Sequence, residues 1–166
     1  SGDWSSDVCS SDLESWLDDT KVTTVMACGM VGAKQGWVET PYLKTPCVPL
    51  DNNQLTTANT HDKRIKVHLV PGVMQHHPAD IMRGEETQIA GFINKNLDFN
   101  GVVCLPGTHA KWANIKEGQI TSFKTFMTGE LFGVISSHTL IRHSTSIKGW
   151  NQDSFEAGVQ IGRAHV

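Results

Sequence analysis

Residues 101–112 read GVVCLPGTHAKW. Val102, Val103, Cys104 and Leu105 form a short apolar, partly β-branched run, and Pro106-Gly107 punctuates it. The pattern predicts a buried strand over 101–107 that ends in a Gly-Thr turn. Downstream, AKWANI (110–115) and QITSFKTF (119–126) alternate around Lys116-Glu117-Gly118, a hairpin signal. Thr128 is suited to cap a helix from Gly129 to about Ile141, with Leu131, Ile135 and Leu140 facing inward. Upstream, Ile89, Phe92, Ile93 and Leu97 recur at helical spacing and predict a helix over 85–96. Glu85 and Glu86 fall in its first turn, where negative charge suits the helix dipole.

VTTVMA (22–27) predicts a buried strand and KVHLVPG (66–72) a second one, stopped by Pro71-Gly72. Between them, CGMVGAKQGW (28–37) reads as a Gly-rich loop. Residues 38–64 read as a long irregular segment with short edge strands. His76, His77, Pro78 and Asp80 read as a loop. Asp98 to Gly101 closes the first helix with turn chemistry, and a domain boundary is placed there. Residues 142–151 read as loop, and Gln152 to Val159 begins another helix. Strands, helices and a strand–hairpin–helix block in this order predict an α/β protein with mixed sheets.

Composition excludes several classes. The chain has 166 residues, which suits one ordinary domain or pieces of two. Its 14 Lys+Arg against 17 Asp+Glu contain no basic block, so no nucleic-acid partner is expected. The apolar runs are far too short to span a bilayer. At 19% charged residues with no low-complexity tract, disorder is not expected either. These features predict a soluble globular protein of the cytoplasm. They do not specify an oligomeric state.

The two ends are set apart. Residues 2–13 (GDWSSDVCSSDL) and 161–166 (IGRAHV) read as translations of a short-read sequencing adapter in its two orientations. They are excluded from fold reasoning as one excludes a fusion scar. The remaining segment reads as an internal piece of a longer protein. Without Cys9 it holds Cys28, Cys47 and Cys104, with no CxxC, which gives no zinc or disulfide framework and suits a reducing compartment.

Three motifs can carry chemistry. In Leu105 to Trp112, Gly107 lets backbone N–H groups approach a phosphate, the Thr108 hydroxyl adds a donor, and Lys111 adds a charge. Standing alone, such a turn is also simply a turn. In Met82 to Gln88, a carboxylate at a helix start can accept a proton from a substrate hydroxyl, and Arg83 can pair with a substrate carboxylate. The same residues also read as a solvated first turn. Finally, GMVGAKQGW loosely resembles a dinucleotide loop, but GxxGxxxG is not GxGxxG, so a nicotinamide-dependent oxidoreductase is the weaker alternative. A sugar-binding loop, as in a non-catalytic binding module, is another reading of it. His76, His77, His138 and His143 show no metal-ligand spacing. His109 differs from them in lying inside the Gly-Thr turn.

Four blocks in order, MACGMVGAKQGWVETPYLKTP (26–46), MRGEETQIAG (82–91), LPGTHAKW (105–112) and TFMTGELF (125–132), closely resemble the 2-dehydro-3-deoxygalactonokinase family. DSFEAGV (153–159) extends the match. The resemblance implies a piece of a two-domain actin-like ATPase fold of the sugar kinase/Hsp70/actin superfamily. Residues 14–98 would close a first, sugar-acid-binding domain. Residues 99–160 would open a second, nucleotide-binding one. It implies transfer of the γ-phosphoryl of ATP to the 6-hydroxyl of 2-dehydro-3-deoxy-D-galactonate, in D-galactonate catabolism. By the same comparison Gly107 and Thr108 contact the nucleotide phosphates, with Lys111 a weaker candidate. Glu85 is the catalytic base and Glu86 its rival. Met30, Gly32, Lys34, Gln35 and Arg83 lie toward the sugar acid. Mg²⁺ is implied as the companion of ATP, but no residue identifies itself as its ligand. The DWGT-type first phosphate loop of the family has no counterpart in residues 14–160, and Asp3-Trp4-Ser5-Ser6 mimics it only through the adapter reading. The segment alone is therefore expected to be inactive.

Overall fold

The computed structural model describes residues 13–144 and 149–163. Most of the two segments read as adapter translation lies outside the described residues. Leu13 precedes a short 3₁₀ turn, Glu14–Trp16, and residues 161–163 end the last helix.

Three small sheets make up the scaffold. In the first, β1 (Thr23–Ala27) runs parallel to β4 (Ile65–Leu69), and β3 (Thr56–Ala58) pairs antiparallel to β4. In the second, β2 (Tyr42–Lys44) lies parallel to β5 (Gly72–His76), which turns back antiparallel into β6 (Ala79–Met82). The third is an antiparallel meander of β7 (Gly101–Leu105), β8 (Ala110–Lys116) and β9 (Gln119–Phe126). Helix α1 (Glu85–Lys95) joins the second sheet to the third. Helices α2 (Thr128–His138) and α3 (Gln152–Arg163) follow the meander. The expected α/β organisation with mixed sheets is present.

The main core forms where the second sheet, α1 and the meander meet. Val73, Met82, Ile89, Ala113, Ile115, Ile120 and Phe123 form one buried cluster. Ile120 and Phe123 are three residues apart, which strict alternation would place on opposite faces. A register shift at Asn114/Ile115 puts one extra residue into β9, so both point inward. Glu117 (φ 51°) and Gly118 (φ 74°) supply the left-handed pair that the tight β8–β9 turn requires. A smaller cluster around Val67 and Leu69 packs the first sheet.

Polar side chains fasten the second sheet to the meander. Gln75, 4% exposed, accepts the Phe123 N–H at 2.8 Å and donates to the Phe123 carbonyl at 2.9 Å. Its amide thus behaves like one more peptide unit beside β9. Asp80 accepts the Thr125 N–H at 2.9 Å and the Thr125 hydroxyl at 2.7 Å. A backbone bridge between Cys47 and Ile120 adds a third tie. Burial there pushes the Cys47 thiol up to about 11.

Several expectations are corrected. β1 and β7 are not fully buried: Met26 is 49% and Val102 52% exposed, because no described element covers their outer faces. Pro71 lacks an N–H and ends β4, yet Gly72 immediately opens β5. The expected loop at His76–Asp80 is the β5–β6 hairpin. Leu97 is 75% exposed, past the end of α1. Thr128 is the first residue of α2 and makes no side-chain cap, and Leu131, Ile135 and Leu140 face outward.

Replacing Gln75 by Leu keeps the volume but strands the Phe123 peptide groups. Each orphaned buried group costs about 1–3 kcal/mol, so a loss of about 2–4 kcal/mol is expected in urea unfolding. A loss below about 0.5 kcal/mol, the scale of an ordinary surface substitution, would contradict the role given to this amide.

Candidate active site

The β6–α1 junction places the charged groups. Gly84 bends the chain at φ 109°, a conformation that other residues rarely adopt, and a Cβ there would stand 3.3 Å from the Gly29 Cα. The bend turns two N–H groups toward the first turn of α1. The Arg83 N–H donates to Glu85 Oε2 at 3.1 Å, and the Gly84 N–H donates to both Glu86 oxygens, at 2.9 and 2.7 Å. The Thr87 hydroxyl adds a bond to Glu86 at 3.3 Å.

The two glutamates therefore differ. Glu86 is fully buried and committed to its own backbone. Burial, helped by the nearby charge of Glu85, holds its carboxyl above the ordinary carboxylate range against the opposing pull of its hydrogen bonds. Glu85 is half-buried and lines two adjoining cavities.

Arg83 is held in place on three sides. Its guanidinium lies over the Tyr42 ring, 4.2 Å from the centroid. One terminal nitrogen donates to the Thr40 carbonyl at 3.1 Å and the other to the Thr40 hydroxyl. Its Nε is buried with no partner in the described residues. Gly32 is buried against Thr40 and this guanidinium.

The first cavity, of about 360 Å³, is lined by Met30, Lys34, Gln35, Glu39, Tyr42, Arg83, Glu85, His109 and Lys111 among others. Lys34 and Gln35 are exposed at its edge. The second, of about 350 Å³, is lined by Arg83, Glu85, His109 and the Leu105–Thr108 turn, with Gly84 and Gln88. Arg83, Glu85 and His109 are common to both. The start of α2 closes on the turn: the Gly129 N–H donates to the Gly107 carbonyl and the Glu130 N–H to the Thr108 carbonyl, both at 3.1 Å. Only a glycine permits this approach, because a Cβ on Gly129 would stand 2.8 Å from the Gly107 oxygen. Glu130 also holds the His109 ring through Nε2.

The structure thus gathers the expected sugar-side residues Met30, Lys34, Gln35 and Arg83 around one cavity, with Gly32 behind Arg83. Gly107 and Thr108 line the other. Lys111 is separated from that pair and belongs to the first cavity. Glu39, Thr40, Tyr42 and His109 are additions to the expected set. Tyr42 is the single tyrosine of the chain, and it sits in a segment whose composition signals only irregularity. The GMVGAKQGW segment forms one 3₁₀ turn, Met30–Gly32, and no helix follows to receive a dinucleotide pyrophosphate. Among the described residues, no group of three or more His, Cys, Asp or Glu is placed to hold a metal ion. No helix among them is long and apolar enough to cross a membrane.

Glu86 gives a pH signature. Its folded pKa lies above the ordinary 4.5, so as pH falls through that raised value the folded state takes up a proton before the unfolded chain does. Wild type should therefore gain stability relative to Glu86→Gln as pH is lowered toward 4.5, read from denaturation midpoints across a pH series. A difference between the two proteins that does not change with pH would contradict this.

The chain is similar to known proteins of one family. The family model described as 2-keto-3-deoxy-galactonokinase matches residues 3–165. A Rhizobium meliloti protein provisionally named 2-dehydro-3-deoxygalactonokinase is 39% identical over 137 residues, covering 81% of this chain and 43% of the relative. The Escherichia coli 2-dehydro-3-deoxygalactonokinase is 36% identical over 143 residues, covering 84% of this chain and 47% of its own length. A crystal structure of a Sinorhizobium meliloti protein, provisionally assigned as a 2-dehydro-3-deoxygalactonokinase, superposes with a TM-score of 0.74 at 33% identity. That match covers 86% of this chain and 47% of the other. The chain spans about half the length of the relatives it matches, and it belongs to the 2-keto-3-deoxy-galactonokinase family.

Proposed function

We propose that this chain carries the sugar-acid cavity and one phosphate-binding turn of a kinase. The enzyme transfers the γ-phosphoryl of ATP to the 6-hydroxyl of 2-dehydro-3-deoxy-D-galactonate, as in D-galactonate catabolism. Residues 14–98 belong to the sugar-acid side and residues 99–160 to the nucleotide side of a two-domain, actin-like kinase. The observation that carries this reading is the position of Glu85. It lies where a cavity rich in charged groups meets a cavity lined by Gly107 and Thr108, while its neighbour Glu86 is sealed away.

In this mechanism the sugar acid occupies the first cavity. Met30, Lys34, Gln35 and Arg83 border it, and Gly32 supports Arg83 from behind. The nucleotide phosphates approach the Gly107–Thr108 turn. Glu85 accepts the proton of the 6-hydroxyl as its oxygen bonds to the γ-phosphorus. The bond between that phosphorus and the β–γ bridging oxygen breaks, and ADP leaves with the electron pair. Mg²⁺ normally accompanies ATP in such transfers. The described residues offer no cluster suited to holding it, so no step is assigned to it.

The test is ADP release by the full-length polypeptide with 2-dehydro-3-deoxygalactonate and with its gluconate epimer. Glu85→Gln should lower kcat by roughly a hundred- to ten-thousandfold. Glu86→Gln should act mainly on stability. Undiminished turnover in Glu85→Gln would remove it as the base. The 166-residue chain by itself should transfer phosphoryl groups no faster than background, because the relatives are about twice its length and transition-state charge needs donors on every side. Robust turnover by this chain alone would refute that expectation.

A further inference from the structure

Lys111 is the most deeply buried lysine or arginine lining the sugar-side cavity. It is 6% exposed, and its ammonium donates to the Ile81 carbonyl and to the Thr125 hydroxyl, both at 2.7 Å. That hydroxyl in turn donates to Asp80 at 2.7 Å. An ammonium has three donors, and two are accounted for. Among the described residues Lys111 forms no direct ion pair, and the Asp80 carboxylate is linked to its ammonium only through the Thr125 hydroxyl. A buried charge left so is costly, and an anion in the adjoining cavity relieves the cost.

The other two cations of the cavity are less suited to that anion. Lys34 is exposed and would lose side-chain freedom on binding. Arg83 spends one N–H of each terminal nitrogen on Thr40 and lies over the Tyr42 ring, so part of the fork that a carboxylate would grip is already engaged. Lys111 is fixed before any ligand arrives, so it gives up little entropy on binding. It does not line the cavity of the Gly107–Thr108 turn, which argues against a phosphate role.

We propose that Lys111 is the anchor for the carboxylate of the sugar acid and makes the site select acids over neutral sugars. This rests on the kinase reading above and names the group that sets its substrate class. Thr125 and Asp80 are positioning residues, holding the ammonium at the cavity wall.

The experiment compares 2-dehydro-3-deoxygalactonate with its neutral C1 amide, on the full-length polypeptide, by calorimetric binding without ATP and by ADP release. Wild type should prefer the acid on the order of ten- to a hundredfold. Lys111→Met should abolish that preference, raising KM for the acid while leaving KM for ATP unchanged. Thr125→Val, which removes only the hydroxyl that fixes the ammonium, should reduce the preference several-fold, and it provides the readout if Lys111→Met does not fold. An acid preference intact in Lys111→Met, or intact in Thr125→Val when only that variant folds, overturns the proposal. So does a rise in KM for ATP with KM for the acid unchanged. If wild type shows no ATP turnover but binds the acid selectively through Lys111, the anchor stands and the kinase reading falls.

Discussion

The seam between the β5–β6 hairpin and the β8–β9 hairpin governs the rest of the structure. Gln75 and Asp80 reach across it to the backbone of β9, and Lys111 reaches back from β8 to the carbonyl of Ile81. The groups joined are buried or partly buried, so each bond has to be made or its desolvation cost is left uncompensated. The seam also sets distances that matter for chemistry. Arg83 and Glu85 follow β6 within three residues of its end, and Gly107 to His109 directly precede β8. Fixing β6 against β8 and β9 brings these two stretches together as the walls of adjoining cavities.

Local backbone chemistry refines what the seam sets coarsely. Gly84 adopts a left-handed bend that points its N–H at Glu86, and this draws one of two adjacent carboxylates into the interior. The other remains at the junction of the cavities. Gly129 permits the first turn of α2 to sit against the Gly107–Thr108 turn, and its N–H and that of Glu130 fix the carbonyls of Gly107 and Thr108. Both devices rest on a missing Cβ at one position, and neither depends on the large core residues.

Much of this is legible in the sequence where the signal is local. The α1 helix follows from its apolar spacing and acidic first turn, and the β8–β9 hairpin from the Glu117-Gly118 turn. The β5–β6 hairpin is not legible. Its strands are short, Pro71-Gly72 reads as a stop, and its partner is β9, some fifty residues away through side chains rather than a ladder. The choice between Glu85 and Glu86 is likewise closed to sequence, since neighbouring helix residues differ only in which direction they face. Lys111 belongs to a strand pattern that places Ala110, Lys111 and Ala113 all inside, so strict alternation misplaces it. Thr40 and Tyr42 lie in an irregular segment and acquire meaning only through Arg83.

The most direct test of this account is a structure of the full-length polypeptide with 2-dehydro-3-deoxygalactonate and a non-hydrolysable ATP analogue. The account predicts the 6-hydroxyl within hydrogen-bond reach of Glu85, roughly 2.6–3.2 Å, with the γ-phosphate against Gly107 and Thr108. A sugar acid bound with that hydroxyl turned away from Glu85, or phosphates seated away from this turn, would contradict it.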